Sequence, residues 1–333
     1  MASFFDLILL IMKINKHILD LKPSSTLLIN EKVKKLRKEG NQIIHFGFGQ
    51  FPFSIHYSIV EELKKNATNN HYLPVNGLFE LRNQVSKFLS QNQGIQRDSA
   101  LIFIGPGSKE LLYQSILIFE GEFLIPKGSW VSYIPQIKSK EGSYIILDTK
   151  LSSQSFEIYL KQSNHKEHIL VLNSPNNPTG AVYTNIEYVS LSEVCRKYQV
   201  IVLSDEIYSQ LNFKDNFSPS ISKYYPEGTI VFGGLSKVFS AGGYRLGFMS
   251  LPKELNQLSI VYRSLFSETF SCVSSPVQFA AVKAYEYSDK LKEYVSISSA
   301  ILHEISSYVF SELLKNNIDC TNPEGVFLYD DRF

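Results

Sequence analysis

The chain has 333 residues, 44% of them hydrophobic and 20% charged, a composition that excludes a largely disordered protein and suggests about two domains. Thirty-three basic residues balance 32 acidic ones, and the formal charge of +1 gives no electrostatic reason to expect nucleic acid or a membrane surface as a partner. The three cysteines are too few and too scattered for a disulfide framework or a zinc site. We therefore expect a reducing, cytoplasmic location.

An apolar stretch over residues 4–14 is interrupted by Asp6 and Lys13. It is far shorter than the roughly 20 residues that a membrane-spanning helix needs. A signal peptide is disfavoured because no basic residue precedes the stretch and no small-residue cleavage site follows it. We predict that Met12 is the functional start and that the residues before it are an extension.

Short apolar runs, each followed by a turn and a helical pattern, occupy the middle of the chain. The runs predicted as strands are residues 100–104, 123–125, 144–147, 169–172, 200–203 and 229–232. The predicted helices include residues 108–119 and 185–198. Strands that are apolar at every position are buried on both faces, and their alternation with helices is typical of a parallel sheet. The sequence thus predicts an α/β fold with a mostly parallel sheet flanked by helices.

After Leu251 the periodicity becomes helical, with an interruption at Pro276. Residues 325–329 then read as the beginning of a new strand, and the chain stops four residues later. A domain that ends where a strand begins is unusual, so this pattern predicts an incomplete C-terminal unit.

Four polar groups directly follow predicted strands, where open parallel sheets bind their ligands. They are residues 105–109, 173–180, 204–208 and 233–237, the last followed by Arg245. Taken singly, each group is consistent with an ordinary turn, a cap, a core tyrosine or a surface lysine. Together they place a lysine, an acid, an asparagine, a tyrosine and an arginine at one sheet edge. This combination suits an anionic heteroaromatic cofactor that carries an aldehyde.

The segment GLSKVFSAGGYRLG, residues 234–247, resembles position by position the lysine motif of class I and II pyridoxal-phosphate-dependent aminotransferases. Further segments follow in the family's order, namely residues 21–32, 71–77, 81–82, 130–133, 173–180 and 204–208. The resemblance covers most of the chain. It implies fold type I, with a large domain that binds pyridoxal 5'-phosphate and a smaller α/β domain.

The resemblance implies roles for five residues around the cofactor ring. Lys237 would form the Schiff base and later carry a proton between the substrate α-carbon and the cofactor, which requires a lowered lysine pKa. Asp205 would keep the ring nitrogen protonated, and Asn177 and Tyr208 would hydrogen-bond the ring's phenolic oxygen. Trp130 would stack on the ring and contact substrate, with a plain core tryptophan as the alternative.

The phosphate needs an anion site, and the candidates are Gly107, Ser108, Lys109, Ser236 and Arg245. A helix that begins at residue 108 would present backbone N–H groups, and an arginine adds a fork of donors that matches phosphate oxygens. Many family members have a serine three residues before the lysine, where this chain has Gly234. The glycine leaves one phosphate contact missing or gives Ser236 a different orientation.

The substrate is expected to contact the backbone of Gly49 as well as Trp130 and Asn177. Tyr72 matches a family residue that reaches the phosphate from the other subunit, which implies a homodimer with shared active sites. The predicted activity is transfer of an amino group between an amino acid and a 2-oxo acid. The alternatives are a lyase or decarboxylase on the same fold, or a non-catalytic cofactor-binding module. The module is disfavoured because no basic DNA-binding arm precedes Lys22.

The resemblance divides the chain into three parts. Residues 1–45 include the N-terminal extension and belong with the small domain, and residues 46–288 form the large cofactor-binding domain. Residues 289–333 are the start of a C-terminal small domain, which we expect to be incomplete. In similar aminotransferases a later arginine of that domain binds the substrate carboxylate, and Arg332 comes too early to match it. We therefore expect cofactor binding with poor turnover. In the alternative, the chain is complete and Asn177, Gly49 and another basic residue hold the carboxylate.

Overall fold

The computed structural model describes residues 15–19, 21–45, 49–326 and 328. The apolar stretch over residues 4–14 and the predicted start at Met12 lie outside these residues. The chain before the sheet is helical and contains α1 (Lys16–Leu19), α2 (Ser25–Lys38), α3 (Tyr57–Lys65) and α4 (Phe79–Gln93). Within the described part, none of the helices combines the length and apolar character that crossing a membrane requires.

Strands and helices alternate over the middle of the chain, as predicted. The elements are β1 (Ile102–Gly105), α5 (Ser108–Ile118), β2 (Glu122–Pro126), α6 (Tyr133–Ser139), β3 (Ser143–Leu147), α7 (Ser153–Gln162), β4 (His168–Asn173), α8 (Asn185–Lys197), β5 (Ile201–Asp205), β6 (Thr229–Gly234) and β7 (Gly247–Ser250). Local signals fix some of their ends. Helix α8, for example, begins with a capping box in which Thr184 and Glu187 satisfy each other's backbone N–H groups.

The seven strands form one sheet in the order β1-β7-β6-β5-β4-β2-β3. Strands β2 to β6 pair in parallel, whereas β7 runs antiparallel between β1 and β6. The predicted α/β fold with a mostly parallel sheet is confirmed. Strand β7 was not predicted, because its four residues directly follow the polar lysine motif and carry no separate turn signal.

Helices cover both faces of the sheet and build its core. Strands β1, β2, β4 and β6 are buried at every position, as predicted for strands that are apolar throughout, and the unpredicted β7 is buried as well. The prediction is wrong for residues 144–147, since β3 lies at the sheet edge and Ile146 is 53% exposed. An edge strand has a partner on one side only, and its apolar composition therefore does not guarantee burial.

Helices α9 (Leu258–Thr269), α10 (Ser275–Tyr285) and α11 (Asp289–Lys315) follow the sheet, in agreement with the predicted helical region. Pro276 occupies the first turn of α10, where a missing N–H does no harm. Of the strand predicted over residues 325–329, Gly325 forms an antiparallel bridge with Asn212, and the Val326 N–H donates to the Leu211 carbonyl over 2.9 Å. Phe327 and Tyr329 lie outside the described residues.

Candidate active site

A cavity of about 190 Å³ opens at the carboxyl edge of β4, β5 and β6. Its lining contains nine of the residues proposed from the sequence, namely Ser108, Lys109, Trp130, Asn177, Asp205, Tyr208, Ser236, Lys237 and Arg245. Tyr133, Asn173 and Ile207 complete it. The residues come from segments far apart in sequence because parallel strands bring their carboxyl ends to one edge.

Asp205 is the last residue of β5 and is only 3% exposed. The Tyr133 hydroxyl donates to its Oδ2 over 2.7 Å, and the Ile207 N–H donates to its Oδ1 over 3.3 Å. Burial raises the pKa of Asp205 to about 6, against the opposing effects of these two donors and of Lys237. The site therefore holds a carboxylate that is ionised near neutral pH and ready to pair with a cation.

Asn173, the last residue of β4, connects two of the proposed site residues through their backbones. Its Nδ2 donates to the Asp205 carbonyl and its Oδ1 accepts from the Asn177 N–H, each over 2.8 Å. The Asn177 Nδ2 in turn donates to the Tyr208 hydroxyl over 3.3 Å. Asn177 and Tyr208 thus present their polar atoms side by side, as two groups that bind the same oxygen must do.

Lys237 reaches into the cavity from the loop after β6. Its Nζ donates to the Gly49 carbonyl over 2.7 Å and lies 5.2 Å from the centre of the Tyr208 ring. Burial lowers the pKa of Lys237 to about 8; Asp205 opposes this effect and Arg245 adds to it. The amine is therefore partly neutral near physiological pH, which a nucleophile or general base requires.

This lowered pKa predicts how the cofactor-free protein behaves in alkaline solution. The rate of Lys237 acylation, measured by peptide mass spectrometry, should increase with pH and have its midpoint near pH 8. Exposed lysines should show a midpoint near 10.5. The folded state binds fewer protons than the unfolded state between these two values, so the contribution of Lys237 to stability should increase with pH across that window. A Lys237 midpoint near 10.5 would contradict the assignment.

The start of α5 and the guanidinium of Arg245 form one end of the site. Gly107 precedes the helix with a φ of +96°, and a Cβ there would lie 2.4 Å from Arg245 Nη2. Arg245 is held by its Nη1 donating to the Gly242 carbonyl and its Nη2 donating to the Pro106 carbonyl. Only glycine permits this approach, and the resulting cradle of backbone N–H groups and guanidinium fits a phosphate.

The glycine three residues before Lys237 has a packing reason. A Cβ at Gly234 would lie 2.9 Å from the Leu246 carbonyl oxygen and 3.0 Å from the Gly247 Cα. A serine would fit only if β6 and β7 moved apart locally. Ser236, the residue before Lys237, lines the cavity together with Ser108 and Arg245.

Trp130 borders the cavity and meets Tyr133 edge-on, with ring centres 5.5 Å apart. The Lys109 ammonium lies 5.3 Å from the centre of the tryptophan ring, and burial together with Arg245 lowers the Lys109 pKa. Tyr72 does not line this cavity and is 90% exposed. The structure thus brings the proposed residues together apart from Tyr72, whose predicted contact is with another subunit.

Tyr133 and Asn173 were not among the residues proposed from the sequence. Both lie inside segments that the family resemblance contains, but their types alone suggest a core aromatic residue and a turn. Asn173 could have been found from its position, because a polar residue that ends a buried parallel strand lies at the edge of the sheet where ligands bind.

Comparisons with known proteins agree with this geometry. The model of the family "Aminotransferase class I and II" matches residues 41–331. An aspartate aminotransferase of Bacillus subtilis is 31% identical over 330 residues, which cover 95% of this chain and 82% of that protein, and one of Geobacillus stearothermophilus is 32% identical with the same coverage. Among solved structures, the aspartate aminotransferase of Thermotoga maritima superimposes with a TM-score of 0.83 at 26% identity, covering 96% of this chain and 86% of that one. The chain belongs to the class I and II aminotransferase family.

Proposed function

We propose that this protein is a pyridoxal-phosphate-dependent aminotransferase that transfers the amino group of aspartate to a 2-oxo acid. The observation that carries the proposal is a single cavity whose lining includes Lys237, Asp205 and Arg245. A nucleophilic amine, a carboxylate for a ring nitrogen and an anion site are the three features that pyridoxal 5'-phosphate requires. When bound, this cofactor supplies an electron sink for negative charge at the substrate α-carbon.

Each side chain has a distinct task in the proposed reaction. Lys237 would hold the cofactor covalently through Nζ and would move a proton at the substrate α-carbon. Asp205 holds a proton at the ring nitrogen by its negative charge. Asn177 and Tyr208 would bind the ring hydroxyl, and Trp130 would cover the ring and limit the access of water.

The phosphate is assigned to the cradle of Gly107, Ser108 and Arg245, with Lys109 and Ser236 beside it. By holding the phosphate, these residues would orient the cofactor relative to Lys237. The Lys109 ammonium extends the positive charge of this end as far as Trp130. Aspartate is proposed as the amino donor because it is the substrate named for the relatives.

We also propose a cytoplasmic homodimer with shared sites. Tyr72 is exposed and does not line the cavity of its own chain. Ile260, which is 71% exposed, and Val261 form an apolar surface on α9 that continues onto Leu117 and Ile118. Large exposed apolar patches usually mark interfaces. The three cysteines are free thiols, which suits a reducing compartment.

The decisive experiment incubates the purified protein and cofactor with a panel of amino acids, with and without 2-oxoglutarate. We expect oxaloacetate to form from aspartate only when the acceptor is present. Carbon dioxide or ammonia released without an acceptor would instead indicate a decarboxylase or lyase. Cofactor binding without turnover of any amino acid would indicate a non-catalytic module.

A further inference from the structure

We propose that Tyr133 is a positioning residue that keeps Asp205 ionised and correctly oriented towards the cofactor's ring nitrogen. This inference rests on the proposed function, because the role of Asp205 does. Tyr133 itself is the first residue of α6 and is completely buried. Neither the comparison with relatives nor the lysine motif assigns it a task.

The contacts around Asp205 restrict its movement from three directions. The Tyr133 hydroxyl and the Ile207 N–H donate to different carboxylate oxygens, over 2.7 and 3.3 Å. The Asn173 side chain donates to the Asp205 carbonyl over 2.8 Å and thereby fixes the backbone. Among the described residues, two groups donate to this carboxylate, and Tyr133 is the closer of them and the one side chain, so it has the larger part in orienting Asp205.

The hydroxyl also determines which form of Asp205 is favoured. Burial raises the pKa of Tyr133 well above its usual value, so the phenol remains protonated and acts as the donor. A hydrogen bond donated to a carboxylate stabilises its charged form and makes it a weaker base. A weaker base competes less for the proton on the ring nitrogen, and that proton therefore stays on the ring.

Tyr133 has a second contact, with Trp130, whose ring it meets edge-on at 5.5 Å. The two contacts can be separated experimentally. Phenylalanine retains the ring that packs against Trp130 and removes only the hydroxyl. Tyr133→Phe therefore tests the proposed hydrogen bond, while the aromatic packing at the cavity wall is preserved.

The chain offers a matched control in Tyr262. This tyrosine is also completely buried, packs in the same hydrophobic cluster as Tyr133, and donates its hydroxyl to Ser115 Oγ over 2.8 Å. Tyr262→Phe thus removes a buried, hydrogen-bonded phenol that does not contact Asp205. Any effect common to both variants reflects general packing or stability.

The first readout is the pKa of the Asp205 carboxyl group in the cofactor-free protein, obtained from its carbon NMR signal as a function of pH. We expect its pKa to rise by about one unit in Tyr133→Phe and to stay unchanged in Tyr262→Phe. The second readout is the affinity for pyridoxal 5'-phosphate, measured by quenching of Trp130, the only tryptophan. We expect binding about tenfold weaker in Tyr133→Phe, the effect of losing one hydrogen bond to a charged group.

A double-mutant cycle tests whether Tyr133 acts through Asp205. In an Asp205→Asn background, Tyr133→Phe should change cofactor affinity by less than about twofold, since the charge that the hydroxyl serves is already absent. An unchanged Asp205 pKa in Tyr133→Phe, or an equal loss of affinity in both phenylalanine variants, would overturn the proposal. Failure of the proposed function is distinguishable, because the wild-type protein would then form no oxaloacetate from aspartate and 2-oxoglutarate, whatever happens to the Asp205 pKa in Tyr133→Phe.

Discussion

Replacing Lys237 with alanine is expected to abolish transamination and the covalent attachment of pyridoxal 5'-phosphate. The substitution removes the nucleophile and the group that moves the proton, and loss of the proton transfer alone should cost about 10²–10⁴-fold in rate. Because the amine is hydrogen-bonded only to the Gly49 carbonyl among the contacts the structure describes for it, the fold should survive. The measurement is borohydride reduction of the wild-type complex followed by mass spectrometry, together with the transaminase rate of the variant.

An exposed lysine supplies the control for this experiment. Lys223→Ala removes a surface ammonium that lies outside the cavity and should leave both the rate and the reduced adduct unchanged. If the reduced cofactor were found on a lysine other than Lys237, the assignment of the nucleophile would be wrong.

The Asp205→Asn variant is expected to keep its fold but to slow proton abstraction by about 10²–10³-fold, because a neutral amide cannot stabilise a positive charge on the ring nitrogen. Asp205 has a pKa of about 6, raised by burial, so its ionisation costs stability as pH rises from about 4 to 6. The cofactor-free variant should therefore melt at the same temperature as wild type or higher at pH 7. Single-turnover kinetics with deuterated aspartate would measure the slowed step.

The adjacent acid provides the matching control. Glu206 is also buried, but it accepts hydrogen bonds from Ser204, Ser220 and Gln93 and does not line the cavity. We expect Glu206→Gln to alter stability and to leave the absorption spectrum of the bound cofactor unchanged. A near-wild-type rate for Asp205→Asn combined with a large loss for Glu206→Gln would show that the wrong acid had been assigned.

Fold class was accessible from the sequence because a central parallel strand must be apolar on both faces. That argument fails at the edges of the sheet, and for this reason the burial of β3 was mispredicted. Strand β7 escaped prediction because antiparallel pairing on both sides, which is a long-range property, stabilises a segment of four residues. The division at residues 45 and 288 stays a prediction.

The candidate site could be predicted as far as motif residues define it. Lys237, Asp205 and Asn177 each follow a predicted strand, so their convergence follows from sheet geometry alone. The hydrogen bond between Tyr133 and Asp205 could not be predicted in this way, since it depends on where the short helix α6 packs. Likewise, the glycine at position 234 is explained only by the close passage of β7.

The pairing of β1 has a consequence for how the chain is made. Among the described strands, β1 has β7 as its only neighbour, and these two strands come from distant parts of the sequence. During translation at about 5–20 residues per second, residues 102–105 wait on the order of ten seconds for their partner to leave the ribosome. Throughout that interval an apolar segment with unsatisfied backbone groups is exposed. Nascent chains that stall before residue 247 should therefore be preferred clients of chaperones that bind extended apolar segments.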